Sequence, residues 1–240
     1  MKHPSQAERD ASIVVEVITK RLFPLAAVLA GSLLVPGPAL AENVSGQVDP
    51  LRAALLVPED LGSEFARRDY TTKGLLNPAF TRTKACRKAV KSLTAVYRTK
   101  VSTALEHTDR WEGISEYLVS GTPRKISALE RAAKAMVRSC RKITVKTQGT
   151  QEIIRRLSLG RLGDSVYAVK FRSGFPDSDL ERDAELATEM MVAIDIALIR
   201  VGNTMIVLEH DGHVGAFDPP LTRSAAQTAV MRLQEALPGD

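Results

Sequence analysis

The chain has 240 residues, 44% hydrophobic and 25% charged, which suits one domain with a buried core and excludes a wholly disordered chain. Two cysteines and four histidines are thin material for a metal centre that wants three or four ligands. The net charge is +5, but it is unevenly spread: Arg82 to Arg161 holds nineteen Lys and Arg against six Asp and Glu, while Leu162 to Asp240 holds six against thirteen.

The chain opens on a leader-like segment. Lys20-Arg21 precedes an apolar run from Leu22 to Val35, followed by Pro36-Gly37-Pro38 and Ala39-Leu40-Ala41. A basic flank, an apolar stretch too short to span a bilayer comfortably and a small-x-small ending predict a signal peptide over residues 1–41, cut before Glu42. Glu8, Asp10 and Glu16 ahead of the basic pair are unusual for a leader. They fit either a long leader or a translation start nearer Val15 or Val17. Residues 42–49 are polar and are expected to form a flexible lead-in. Residues 50–240 are expected to form one domain.

Leu51 to Leu61 reads as a short apolar helix ending near Pro58, before Gly62. Residues 63–80 show no clear period, and Asn77-Pro78 marks a turn. From Lys84 to Leu93, Cys86, Ala89, Val90 and Leu93 share one helical face and the lysines and Arg87 take the other. Val96 to Leu105 alternates, with Tyr97, Thr99, Val101 and Thr103 on one side and Arg98, Lys100 and Ser102 on the other. That period of two predicts a half-buried strand with a basic outer face. Glu106 to Asp109 turns the chain, and Trp111 to Ser120 returns as a second strand.

Thr122 is a natural N-cap and Pro123 suits the first helical position. Ile126, Leu129, Ala133, Met136, Val137 and Cys140 then keep a helical period, while Lys125, Arg131, Lys134, Arg138 and Arg141 cover the opposite side. Strand patterns follow at 143–147, 153–159 and 166–172. The acidic stretch from Asp177 to Glu185 reads as a loop or an exposed helical turn. Met190, Val192, Ile194, Ile196 and Leu198 form the large apolar face of a long strand, and Ala193, Asp195 and Ala197 form a smaller one. Gly202-Asn203 predicts a hairpin turn into Thr204 to His210. Pro219-Pro220 ends the sheet, and Thr222 is expected to cap a last helix with Ala225, Ala226, Ala229, Val230 and Leu233 buried.

Hairpin-linked strands with few crossovers predict an α+β fold, an antiparallel β-sheet with helices packed on one face. Two cysteines well separated in sequence usually pair in an oxidising compartment, so one disulfide, Cys86–Cys140, is expected.

Three clusters invite chemistry. Gly163-Asp164-Ser165 is like the opening of a GDSL-type esterase block, whose serine needs a base within hydrogen-bond reach. The block sits late in this chain, and Asp211-Gly212-His213 is one residue short of the Asp-x-x-His that would complete it. His210-Asp211-Gly212-His213, with Glu209, offers metal-ligand types, but Asp-Gly is also a turn signal and no third ligand group stands out. Asp195 lies mid-strand among apolar neighbours, where a lone carboxylate is costly. Either an Arg or Lys pairs with it, or that face lines a wet cleft.

The chain resembles the extracellular sensor domain of actinobacterial PknH-type Ser/Thr kinases and their free-standing exported relatives. The residues carrying the likeness are Ala54-Leu55-Leu56-Val57-Pro58-Glu59-Asp60-Leu61-Gly62, the helix around Cys86 and Cys140 at the end of the next. Gly163-Asp164-Ser165-Val166 and Arg200-Val201-Gly202-Asn203 add to it, and the whole covers most of residues 50–237. The resemblance implies an antiparallel sheet flanked by helices, with a cleft for an unidentified extracellular ligand. Kinase-linked members carry two disulfides, whereas two cysteines allow one. These 240 residues include no kinase domain, so a signalling role is expected to need a partner.

The expected protein is an exported, non-enzymatic sensor-like domain, secreted or held in the cell envelope. It would keep no stable membrane span after cleavage and would use no cofactor or metal. The basic region suits wall phosphates, lipid headgroups or an acidic partner protein. Nucleic acid is a poor fit for an exported chain with 5% aromatic residues. Arg98, Lys100, Arg138 and Arg141 are the candidate ligand-binding residues, with Asp195 as a cleft carboxylate. The alternative is a secreted esterase-like serine hydrolase using Ser165 with His210 or His213.

Overall fold

A computed structural model describes residues 49–237, apart from 148–149, 175–191 and 214. The predicted leader, nearly all of the lead-in, the acidic stretch from Asp177 to Glu185 and Met190 lie outside the described residues.

Eight strands form one sheet among the described residues. They are β1 (Phe65–Arg67), β2 (Ser102–His107), β3 (Glu112–Ser120), β4 (Lys142–Thr147), β5 (Thr150–Leu157), β6 (Ser165–Gly174), β7 (Val192–Val201) and β8 (Thr204–His213). Every neighbouring pair is antiparallel. Across the sheet the order is β1-β2-β3-β8-β7-β6-β5-β4. The helices are α1 (Pro50–Ala53), α2 (Lys84–Leu93), α3 (Pro123–Cys140) and α4 (Pro219–Ala236).

The cap expected at Thr122 forms, its hydroxyl accepting from the Lys125 amide at the start of α3. A second, at Thr83, accepts from the Cys86 amide at the start of α2. Cys86 and Cys140 are paired and wholly buried, joining α2 to the last residue of α3. Both helices lie on one sheet face, where Cys86, Val90, Leu93, Ile126, Met136 and Cys140 pack with Ile154, Val169, Phe171, Ile194, Ile196 and Leu198.

The fold class is as expected, but the helices divide between the two faces. Helix α4 covers the other side, packing Ala225, Ala226, Ala229 and Leu233 against Ala197, Ile199, Ile206 and Leu208. The reason lies in β7 and β8, which are apolar on both faces and therefore need cover on both. The small residues Ala193 and Ala197 of β7 allow the alanine stripe of α4 to approach closely. The segment after α1 belongs to this second core: Ala54, Leu55 and Leu56 are buried there. Its anchor is Glu116, fully buried on β3, whose Oε2 accepts from the Leu56 amide at 2.8 Å.

Three local expectations change. Residues 94–98 form a 3-10 turn rather than the start of a strand, and β2 begins at Ser102. That turn carries Tyr97 to Glu209, to which its hydroxyl donates. Thr222 does not cap α4. The helix starts at Pro219 behind Asp218, which leaves Thr222 in the first turn, buried, with its hydroxyl donating to Asp195 at 2.9 Å. The patternless stretch 63–80 contains β1 and two 3-10 turns at Gly74–Leu76 and Pro78–Thr81.

Candidate functional site

The C-terminal half of α3 and the residue that caps it present Lys134, Arg138 and Arg141 at i, i+4 and i+7, one continuous helical stripe. Arg156 of β5 and Tyr167 of β6 face the same stripe from the sheet, and Ser158, Leu159 and Gly160 close one end. The groove between them has a volume of about 210 Å³ and, among the described residues, no carboxylate in its lining. All four cations are exposed, and none has an ion pair among the described residues. A second depression, formed by Arg141, Lys142, Arg155 and Arg156, extends the basic surface toward β4.

The nearest acid on α3 is Glu130, which is already engaged. It takes Arg200 Nη1 at 2.9 Å, the Ser165 hydroxyl at 2.9 Å and the Tyr167 hydroxyl at 3.2 Å. Burial pushes the Glu130 carboxyl up, but these three partners outweigh it and hold the group below its ordinary value. Glu130 therefore stays ionised on Arg200, and no carboxylate among the described residues compensates the cations of the groove. Lys134, Arg138, Arg141 and Arg156 repel one another across water, and an anion placed among them relieves that repulsion.

Of the residues expected to bind ligand, the structure brings Arg138 and Arg141 together and adds Lys134, Arg156 and Tyr167. Arg98 and Lys100 are exposed but stand elsewhere, just before β2. Strand β2 is five places from β5 across the sheet, roughly 24 Å at the ordinary spacing.

Asp195 is fully buried under α4. Arg172 on β6 pairs with it at 2.8 Å, the first of the two arrangements its position allowed. The Thr222 hydroxyl donates to Asp195 and accepts from His210 Nδ1 at 2.8 Å, and His210 Nε2 meets Glu112 Oε1 at 3.0 Å. Burial pushes Glu112 up, yet His210, the Asp218 amide and Arg110 overcome it and hold the carboxyl below its usual value. Asp195, Thr222 and His210 thus form a buried internal network beneath α4.

The hydrolase pairing is not formed. Ser165 lies opposite Arg200, whereas His210 lies opposite Asp195 and His213 opposite Val192. Five residues of β7 separate the first two positions, roughly 17 Å at the ordinary strand rise. Gly163 adopts φ +54°, and a Cβ there would collide with the Arg200 carbonyl, while Asp164 accepts from the Gly202 amide at 2.8 Å. Gly163-Asp164-Ser165 is thus a turn that docks against the β7–β8 hairpin. Metal-ligand types also fail to converge at 210–213, because alternate residues of β8 face opposite sides. Among the described residues, no group of three or more His, Cys, Asp or Glu is placed to hold an ion.

On the α2–α3 side, Glu209 is wholly buried and accepts from Tyr97 and from the Gly74 amide. Burial drives its carboxyl up to about 7 despite those bonds, against an ordinary 4.5. The folded state then holds this proton more tightly than the unfolded chain. The contribution is fully present below about pH 4.5 and is lost as pH rises through about 7. Glu209 alone is expected to remove on the order of 2 kcal/mol of stability between pH 5 and pH 7. Urea melts at stepped pH should show that slope, flattened in Glu209→Gln. An unchanged slope in the variant would place the titration elsewhere. Glu116, pushed up to about 8 by burial, acts in the same sense and supplies the slope that remains.

The architecture defines a disulfide-clamped α+β domain with a surface groove of cations, and no helix among the described residues is long and apolar enough to cross a membrane. No protein-family model matches the chain, and no curated protein matches it. Among solved structures it is similar to the extracellular domain of PknH from Mycobacterium tuberculosis, at 10% sequence identity and a TM-score of 0.43. That likeness covers 76% of this chain and 94% of the other. At such a score, function has to be read from this chain's own side chains.

Proposed function

We propose that the chain is an exported, non-enzymatic sensor-like domain that binds an anionic ligand of the cell envelope in the groove beside α3. The observation that carries this reading is the set of four exposed cations around one depression, with no ion pair and no lining carboxylate among the described residues. The Cys86–Cys140 disulfide supports an oxidising compartment, as does the leader-like start of the sequence. A groove of about 210 Å³ suits a phosphate-sized headgroup rather than a large organic ligand. Guanidinium groups bind such oxyanions through paired N–H donors, which makes Arg138, Arg141 and Arg156 the principal contacts and Lys134 a point charge.

The test is calorimetry with inorganic pyrophosphate, alongside co-sedimentation with phosphatidylglycerol vesicles. Both read the shared phosphate chemistry, and a preference for one distinguishes a soluble anion from a membrane surface. The Arg138→Ala, Arg141→Ala double variant is expected to weaken binding about tenfold, with a weaker salt dependence. Arg98→Ala with Lys100→Ala should leave binding unchanged. Equal losses in the two double variants would reduce the effect to net charge and remove the groove from consideration.

A further inference from the structure

A further cavity, of about 350 Å³, lies around the β2–β3 turn and the end of β8. It gathers Tyr70 and Trp111, which are 59% and 50% exposed. Among the described residues these are the only large aromatic side chains so exposed, and both open onto this one cavity. Leaving two such rings in water forgoes much of the stabilisation their burial would give, so their convergence marks a binding surface.

Both rings are held in place. Arg68 Cζ lies 4.7 Å from the centre of the Tyr70 ring, and Trp111 rests 4.1 Å from His213 in a tilted pair. Arg68 is itself fixed: its side chain is 4% exposed, and it reaches Asp211, Thr72 and Ser115 through hydrogen bonds of 2.7 to 3.3 Å. Its Nε is buried, with no hydrogen-bond partner among the described residues.

The charges indicate what such a ligand would be. The two cations here are already compensated, Arg68 by Asp211 and Arg110 by Glu112 at 2.8 Å. Glu106 and Asp109 also line the cavity and have no ion pair among the described residues. An anion is therefore disfavoured, in contrast to the groove beside α3. Flat aromatic faces beside carboxylate acceptors and guanidinium donors match a sugar ring. A pyranose offers one face of polarised C–H bonds to the negative face of an aromatic ring. Its rim of hydroxyls can donate to carboxylates and accept from N–H groups.

We propose that this cavity binds a neutral saccharide, stacked on Trp111 and Tyr70 and hydrogen-bonded by Glu106 and Asp109. The site is separate from the anion groove and does not depend on it.

Trp111 is the only tryptophan of the chain, so its emission reports this cavity alone. The purified full chain is titrated with a panel of neutral oligosaccharides built from glucose, mannose, galactose, arabinose and N-acetylglucosamine. A saturable change in emission is expected for at least one of them, with binding weakened about tenfold in Tyr70→Ala and in Asp109→Ala. The Arg138→Ala, Arg141→Ala variant should bind the sugar as the parent does. Calorimetry on Trp111→Ala, which has lost the optical signal, should show loss of the heat of binding. Circular dichroism confirms that each variant is folded. The proposal is overturned by an unchanged emission and no heat across the panel at millimolar sugar. It is equally overturned by binding that survives Tyr70→Ala and Trp111→Ala, or by binding lost in the Arg138→Ala, Arg141→Ala variant.

Discussion

Replacing Cys86 and Cys140 together by alanine is expected to cost about 4 kcal/mol of stability, the chain-entropy value for closing a loop of 54 residues. For a domain of this size the midpoint of thermal unfolding should fall by roughly 8–16 °C. The bond does more than shorten the unfolded chain. It joins the first turn of α2 to the last residue of α3, and both helices cover the same face. Without it, α2 is held by its apolar stripe and the neighbouring 3-10 turn alone. Scanning calorimetry of the parent, the reduced parent and the double variant separates the cross-link from the small cavities left by the sulfurs. A shift below about 1 kcal/mol would mean that helix packing alone fixes α2.

The second large effect is expected at Arg68. Arg68→Met keeps much of the side-chain volume but strands Asp211, whose side chain is 10% exposed, without its counter-ion. Breaking a buried pair by removing one partner costs about 3–5 kcal/mol, because the remaining charge stays desolvated. The pair also organises its surroundings: the Thr72 hydroxyl donates to Asp211, and the Thr72 amide donates to Ser115. Gly113 lies directly beneath, where a Cβ would sit 2.5 Å from Arg68 Nη1. The double variant Arg68→Met, Asp211→Asn should recover a large part of the loss, since no charge is then left alone. Urea denaturation of the four proteins gives the coupling energy. A double variant as unstable as Arg68→Met alone would show that the guanidinium acts through packing rather than through its charge.

Much of this fold could be read from periodicity. Helices α2 and α3 matched their stripes, and α3 its cap at Thr122, because a 10- or 18-residue segment shows its period several times over. The long strands β6, β7 and β8 were equally plain, and so was the turn at Gly202-Asn203. Strand β1 was not, since three residues carry no period. Residues 96–105 misled because Tyr97 looks inward for a polar reason, its bond to Glu209 far along the chain. The two-sided cover of the sheet was visible only as small residues on one face of β7, and small residues suit a close-packed helix as well as a cleft.

The candidate site divides in the same way. Arg138 and Arg141 could be found as a helical stripe, and Lys134 belongs to that stripe. Arg156 and Tyr167 become their neighbours only through the placement of α3 over β5 and β6, which no local pattern encodes. The buried carboxylate at Asp195 was signalled by its apolar flanks. Its partner Arg172 was not, because that contact depends on the register between β6 and β7.

The strand order carries a further consequence. Strand β8 alone joins β1–β3 to β4–β7, through the pairs that run from Glu112 opposite Gly212 to Ser120 opposite Thr204. A chain delivered N-terminus first thus holds two unconnected half-sheets until residue 213 is free, with the inner edges of β3 and β7 bare. Closure of the layer is a late event, made by one hairpin arm sliding between two waiting edges.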